Sequence, residues 1–346
     1  MENQDVIGLA VIGAGYWGPN LVRNAQATPA LHLRHLCDLD VEKARRVLGQ
    51  YSTVRATASL DEVLADPEVH AVAIATPAAT HLPVALAALE AGKHVLVEKP
   101  LAANFEDGLK LVETAEQRGL TLMLDHTFAY TSSVQHLRKI IRGGELGDIQ
   151  YIDSVRINLG LVQPDVDVLW DLAPHDLSIF EAILPDDVHP VEVAAHGSDP
   201  IGAGVACVGH LTVRLSNGAI THVHVNWLSP TKIRTMVIGG SQRTVVWDDN
   251  NPAQRLSIYD RGVDRSVEQQ KISYRTGDMV APALVEREAL RTMMAEFAAS
   301  ITEKRAPLTD GRAGLRVLAV LEAASESLRS GGLFVPVQQV EGRVSA

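Results

Sequence analysis

The chain has 346 residues, 46% hydrophobic and 21% charged, with a formal net charge of −11 at pH 7. That length exceeds a typical single core and suits two domains, and the acidic balance disfavours general nucleic-acid or anionic-membrane binding while leaving room for an anionic substrate in a local basic pocket. Two cysteines, Cys37 and Cys207, are too few for a disulfide framework. The polar N-terminus has no signal-peptide pattern, and no stretch reaches the roughly 18–20 uninterrupted apolar residues of a membrane helix, so a cytoplasmic location is expected.

The first 125 residues alternate short aliphatic runs with helical patterns. Strands are expected over 6–12, 33–37, 72–75, 94–97 and 121–124, and helices over 19–27, 41–49, 82–91 and 105–118. Near-continuous apolar strands separated by helices imply a parallel sheet covered on both faces. Ser59 and Glu62 form a capping box opening a short helix, Asn104 caps the helix starting at Phe105, and Gly92 and Gly119 stop the helices before them. A further helix is expected over 132–141, ended by Gly143 and Gly144.

Strands then dominate, over 149–159, 191–195, 205–215, 219–227, 233–239 and 244–247, with Asn217-Gly218 as a hairpin turn. Strands without intervening helices imply a mostly antiparallel sheet. One helix, 172–184, interrupts it, and two more close the chain at 284–301 and 312–329. The expected fold class is therefore α/β plus α+β: a doubly wound parallel sheet in residues 1–126 and a large, mostly antiparallel open sheet in residues 127–346.

The segment Gly13-Ala14-Gly15-Tyr16-Trp17-Gly18 follows the first strand and opens a helix. Gly13 permits a tight turn, Gly15 lets backbone approach a pyrophosphate, and Gly18 allows close helix–strand packing, with the helix N-terminus facing the phosphates. In that context the pattern marks a Rossmann dinucleotide-binding domain. Asp38 ends the next strand, twenty residues past Gly18. A carboxylate there binds ribose hydroxyls and repels a 2′-phosphate, so NAD is expected rather than NADP. Arg45 and Arg46 lie near enough in sequence to weaken that preference. Tyr16 and Trp17 either pack over the cofactor or serve as simple packing.

Hydride chemistry also needs a proton carrier and a positive group at the reacting oxygen. Lys99 lies just past a buried strand, at the edge where open α/β sheets bind ligands, and Pro100 restricts its backbone. Asp171 and His175 are four residues apart and share a face at a helix start, where Asp171 serves as both cap and site residue. Arg156 and Asn158 share one strand face and are candidates for binding sugar hydroxyls or phosphate, with a plain sheet-surface role as the alternative. Lys232 is a substrate candidate too, although Lys232 and Arg234 also suit a solvated strand edge. His222 and His224 point to one face of a strand. No third ligand accompanies them, so no metal site is expected. His32 and His35 read as surface residues.

These segments resemble the Gfo/Idh/MocA oxidoreductases: Gly13 to Gly18, Thr76-Pro77 with His81, Glu98-Lys99-Pro100, and Asp171 with His175. Trp170-Asp171-Leu172-Ala173-Pro174-His175-Asp176, the run from Val225 to Arg234, and Arg275-Thr276-Gly277-Asp278 resemble the sugar-nucleotide, aminosugar and cyclitol dehydrogenase branch. The resemblance implies that Lys99 polarises the reacting oxygen, His175 is the general acid/base and Asp171 assists beside the reacting carbon. It implies that Thr76, Pro77 and His81 line the nicotinamide side and that Glu98 borders the cofactor. A homodimer or homotetramer paired through the C-terminal sheets is implied as well. The loop from Gly160 to Pro164 lacks the basic residue of that branch, and Val285 to Leu290 differs from its usual run. A non-catalytic dinucleotide sensor and an NAD-assisted glycoside-cleaving enzyme are the competing functions.

Overall fold

Ile7, Leu9, Ala10, Val11 and Ile12 are buried, as a strand covered on both faces requires, and they form β1 (Ile7–Ile12). The computed structural model describes residues 6–163, 166–266 and 271–342, so Pro164 lies outside the described residues. After β1 come α1 (Gly18–Gln26), β2 (Leu31–Cys37), α2 (Val41–Leu48), β3 (Arg55–Thr57), α3 (Leu60–Ala65), β4 (Ala71–Ile74), α4 (His81–Glu90), β5 (His94–Glu98), α5 (Phe105–Arg118) and β6 (Leu122–Asp125). The strands form one parallel sheet in the order β3-β2-β1-β4-β5-β6. That order reverses between β1 and β4, and the carboxyl ends of such strands open a ligand crevice. Strand β3 escapes the sequence pattern because it is three residues long and partly exposed at the sheet edge.

The local punctuation is largely as expected. Asn104 accepts from Asp107 N at 2.9 Å, and Gly92 and Gly119 adopt φ of 76° and 64°. Ser59 accepts from Glu62 N, but the Glu62 carboxylate takes the Thr57 hydroxyl at 2.6 Å instead of returning to the cap. His35 is a correction. It is buried and lies 2.7 Å from Asp66, because β2 is covered where a surface residue was expected.

The second part contains α6 (Ser132–Arg142), β7 (Ile149–Leu159), α7 (Val168–Ile183), β8 (Pro190–Ser198), β9 (Val208–Leu215), β10 (Ile220–Asn226), β11 (Leu228–Gly240), β12 (Thr244–Asp248), β13 (Leu256–Ser266), β14 (Lys271–Val280), α8 (Ala289–Glu303), α9 (Gly311–Arg329) and β15 (Val335–Pro336). Nine strands run in the order β14-β13-β12-β11-β7-β10-β9-β8-β15. The sheet is mostly antiparallel, with β7 and β10 parallel. The Asn217-Gly218 turn joins β9 to β10, with Gly218 at φ 86°.

Three expectations change here. Helix α7 begins at Val168, because Asp167 accepts from Leu169 N and Trp170 N at 2.9 and 3.0 Å. Asp167 is therefore the cap, and Asp171 is inside the helix. Helix α8 starts at Ala289 rather than 284, and Glu288 before it reaches Arg23 and Asn24 of α1. The hairpin of β13 and β14 was not expected. Val263, Ile272 and Tyr274 stand exposed on it, so no buried face imposes a period of two.

Helix α7 lies against β7, β9 and β10, while α9 touches β8 and α7 on one side and α5 and β6 on the other. Leu124 N donates to Thr309 O at 2.8 Å and the Thr309 hydroxyl to Leu124 O at 2.7 Å, which covers the outer edge of β6. These ties set the carboxyl ends of β5 and β6 against the first turns of α7. No helix of the described residues is long and apolar enough to cross a membrane.

Candidate active site

The turn after β1 has the stereochemistry a pyrophosphate cradle needs. Gly13 has φ 101°, and a Cβ on it would stand 2.6 Å from the Ala75 carbonyl oxygen. A Cβ on Gly18 would stand 2.1 Å from Gly13 O, so α1 packs directly on the turn. A Cβ on Gly15 would meet nothing within 4 Å, which leaves the turn open to a phosphate beside the N-terminus of α1. Asp38 accepts from Ala14 N at 2.6 Å and from Asp40 N at 2.9 Å, which fixes its carboxylate beside the cradle. Arg45 pairs with Glu42, and Arg46 lies 3.7 Å from Asp40, both exposed on α2. Neither arginine neutralises Asp38, so this set of residues fits NAD.

Lys99 follows β5 and is joined to α7. Its Nζ donates to the Asp171 carbonyl oxygen at 2.9 Å and to Asp171 Oδ1 at 3.1 Å. The indole Nε1 of Trp227, between β10 and β11, donates to Asp171 Oδ2 at 2.9 Å. One carboxylate therefore bridges both sheets, and two of the three ammonium donors of Lys99 are committed to Asp171.

His175 lies one turn along α7, its ring edge-on to Phe128 with centroids 5.2 Å apart. Burial holds His175 well below the ordinary histidine range, and the charges of Lys99, Arg156 and Arg234 push the same way. The imidazole is thus neutral at neutral pH and able to accept a proton.

Arg156 and Arg234 are register partners on β7 and β11, and their guanidinium carbons lie 4.4 and 5.7 Å from the centre of the Phe128 ring. Arg156 is 1% exposed and binds Asp176 through Nε at 2.7 Å and Nη2 at 3.2 Å, with the Ser154 hydroxyl on the same carboxylate. This corrects its placement on an accessible strand face: Arg156 acts on the site through its charge. Arg234 is half-buried and pairs with Asp249 at 3.4 Å, so it is not at a solvated edge.

Two acids end the neighbouring strands β5 and β6. Glu98 and Asp125 are paired in register, and burial raises both carboxyl groups above their ordinary values, Glu98 the more strongly. Asp125 accepts from Trp17 Nε1 at 2.5 Å and from the Thr127 hydroxyl. Trp17 is thus tied to β6, whereas Tyr16 is 93% exposed.

His81 is buried, its ring nitrogens 2.7 Å from Pro100 O and 2.9 Å from Thr76 O. It braces the turns that carry Thr76, Pro77 and Lys99 from beneath, where an open pocket position was expected. Burial lowers its pKa, and the two carbonyls oppose that.

Of the remaining candidates, Asn158 is half-buried, close to Trp227 around Gly160. Lys232 is exposed on a bulge of β11. His222 Nδ1 lies 3.3 Å from the Thr212 hydroxyl, and His224 stacks on His210 with centroids 4.2 Å apart. Among the described residues no group of three or more His, Cys, Asp or Glu is placed to hold a metal ion.

Four residues of the candidate site escaped the sequence analysis as individuals: Trp227, Phe128, Asp176 and Asp125. Trp227 and Asp176 fall inside segments that carry the resemblance, which was the available signal. Asp125 ends β6 and Phe128 lies in the short turn after it, a stretch with no motif of its own.

Comparison with known proteins identifies the family. Residues 7–126 match the oxidoreductase family model with an NAD-binding Rossmann fold, and residues 138–338 match the C-terminal alpha/beta domain of the same family. The chain is 31% identical over 313 residues to a UDP-N-acetylglucosamine 3-dehydrogenase of Acidithiobacillus ferrooxidans, covering 89% of this chain and 93% of that protein. The solved structure of that dehydrogenase superposes with TM-score 0.79 at 28% identity, covering 94% of this chain and 98% of the other. GenD2 from gentamicin A biosynthesis, solved with NAD, gives TM-score 0.81 at 25% identity, covering 97% of each chain. An inositol dehydrogenase homologue of Azotobacter vinelandii, solved with NADH and myo-inositol, shares the fold with TM-score 0.79 at 22% identity, covering 95% of this chain and 97% of the other. Matched in both its Rossmann and its C-terminal parts, the chain belongs to the Gfo/Idh/MocA family of NAD-binding oxidoreductases.

Proposed function

We propose that this oxidoreductase transfers a hydride between NAD and a secondary alcohol or ketone carbon of a sugar, nucleotide sugar or cyclitol. The observation that carries the proposal is the Lys99–Asp171 junction beside a neutral His175. Bound NAD supplies the hydride acceptor in oxidation and the donor in reduction. Lys99 has one ammonium N–H left for the reacting oxygen, where its charge favours the alkoxide-like transition state. His175 accepts the hydroxyl proton in oxidation and returns it in reduction. Asp171 holds Lys99 in place. A nucleotide sugar heads the substrate list because the relative from Acidithiobacillus ferrooxidans is named for one.

In the same proposal the chain divides near residue 126 into a cofactor domain and a substrate domain. Two or four copies pair through the sheet face that carries Tyr151, His210 and His222, away from α7. A reducing, cytoplasmic setting suits the two free thiols.

The test compares the wild type with Lys99→Met and His175→Asn, using NAD and a panel containing UDP-N-acetylglucosamine and myo-inositol. Each variant should lose about 10²–10⁴-fold in kcat while NADH affinity, read by fluorescence, stays within about twofold of the wild type. Wild-type turnover in both variants would remove their assigned roles. NADH binding with no turnover of any polyol would favour a sensor. Glycoside cleavage without net NADH release would favour the transient-oxidation mechanism.

A further inference from the structure

Tyr130, which ends the turn that carries Phe128, and residues of α6, α7, α8 and α9 line a cavity of about 510 Å3. That volume is in the range of small-molecule sites. None of the residues assigned to the reaction lines it. Ala295, Ala299 and Leu308 supply apolar wall, and Arg138 and Arg142 reach the cavity from successive turns of α6.

Among the described residues, four arginines and four acids line this cavity, and they are unevenly matched. Arg305 binds Glu296 at 2.6 and 2.8 Å, and Arg316 binds Glu181 at 2.8 Å. Asp310 accepts from Ala313 N at 2.7 Å as the cap of α9. Arg142 takes Asp186 at 2.8 Å. Arg138 has no hydrogen bond or ion pair among the described residues, and its Nε is buried without a partner. Burial lowers its pKa, Arg142 adds to that, and only Asp186 opposes it. A guanidinium stays charged even so. Two cations on α6 therefore share the field of one carboxylate. The dipole of α6 favours a cation in its last turn, where Arg142 sits, but that effect fades within a turn and does not account for Arg138.

We propose that this cavity binds a phosphorylated small molecule, with its phosphate held by Arg138 and Arg142. Both terminal nitrogens of Arg138 and Nη1 of Arg142 are unbonded among the described residues and, unlike the two Nε atoms, are not buried. A phosphate monoester offers three terminal oxygens and a charge of about −1.5 to −2. It can serve two guanidinium forks at once, whereas a carboxylate fills one. The space beyond the phosphate suits an organic group packed on Ala295, Ala299 and Leu308. This site is separate from the hydride-transfer site and does not depend on the substrate proposed above.

The test uses the full chain with NADH at saturation, so that the dinucleotide cradle is already filled. Inorganic phosphate and phenyl phosphate are titrated by calorimetry at constant ionic strength. Phenyl phosphate should bind the wild type about tenfold more tightly than inorganic phosphate, through burial of its ring. Arg138→Gln should weaken both ligands about tenfold to a hundredfold. Arg138→Lys, which keeps the charge and loses the fork, should recover part of that loss. The NADH dissociation constant should stay within about twofold in both variants.

Equal affinity of wild type and Arg138→Gln for phosphate overturns the assignment, as does a wild type that binds neither ligand at millimolar concentration. A phenyl phosphate affinity no tighter than that of inorganic phosphate overturns the monoester. Should Arg138→Gln fail to fold, an Arg138→Lys affinity equal to that of the wild type overturns the site equally well. Neither titration requires turnover of a sugar, so failure here and failure of the proposed function are read separately.

Discussion

Lys99 and Asp171 meet through two oxygens of the same residue, the backbone carbonyl at 2.9 Å and Oδ1 at 3.1 Å from Nζ. The carbonyl contact survives any substitution of the Asp171 side chain that leaves α7 intact, whereas the carboxylate also anchors the Trp227 indole. The two contacts therefore separate by mutation. Asp171→Asn keeps the shape and the backbone contact but removes the charge, and kcat should fall about tenfold to a hundredfold, a smaller loss than for Lys99→Met. Steady-state kinetics with parallel NADH titrations decide it. A loss as large as that of Lys99→Met would mean that the carboxylate itself takes part at the reacting carbon.

His175 predicts a pH profile. Its folded pKa is depressed by burial first and by the charges of Lys99, Arg156 and Arg234 next, so the ring is deprotonated at and well below its ordinary value of 6.5. Oxidation needs that neutral form. The acid limb of kcat/KM for alcohol oxidation should therefore lie below pH 6.5. The linkage to stability has the matching sign. A depressed histidine costs nothing above its unfolded value and destabilises the fold as pH drops below it. A His175→Asn variant should thus lose less stability than the wild type between pH 6.5 and pH 5. An acid limb at or above pH 7 belonging to His175 would contradict the burial.

Asp38 should control the choice of dinucleotide. Its carboxylate is fixed by Ala14 N and Asp40 N, and the nearby arginines are paired elsewhere. Asp38→Asn keeps one acceptor oxygen and removes the charge. The ratio of NADPH to NADH dissociation constants should fall about tenfold. Fluorescence titration with both nucleotides measures this, and an unchanged ratio would place the discrimination in another residue.

Arg156 and Asp176 form a fully buried pair, each side chain 1% exposed. Removing one partner leaves the other charged and unsolvated, so Asp176→Ala should lower unfolding stability by about 3–5 kcal/mol. Denaturant titration of the purified protein tests this. A loss below about 1 kcal/mol would mean that water reaches the stranded guanidinium and solvates it.

The features legible in the amino-acid order are those made by neighbours along the chain. Gly13, Gly15, Gly18 and the helix after them define a turn through local stereochemistry, and the apolar runs define central strands because both faces must be covered. Asn104 and the Asn217-Gly218 turn likewise act within a few residues. The start of α7 was misplaced because Asp167 and Asp171 are both plausible caps, and only the observed N–H contacts choose between them. The β13–β14 hairpin was missed because exposed strands carry no period of two.

Contacts between distant residues needed the tertiary structure. Lys99 and Asp171 are 72 positions apart, and Trp227 and Asp171 are 56. Burial is likewise a property of the whole fold. It decides that Arg156 and His81 are enclosed supports and that His175 is neutral. The sequence by itself determined the glycine turn before α1, the acid after β2 and the placing of Asp171 and His175 four residues apart on one helix, since each follows from short-range geometry. Which side chains meet in the cleft, and how burial and neighbouring charge set their protonation, was decided when α7 and the nine-stranded sheet were brought against the carboxyl ends of β5 and β6.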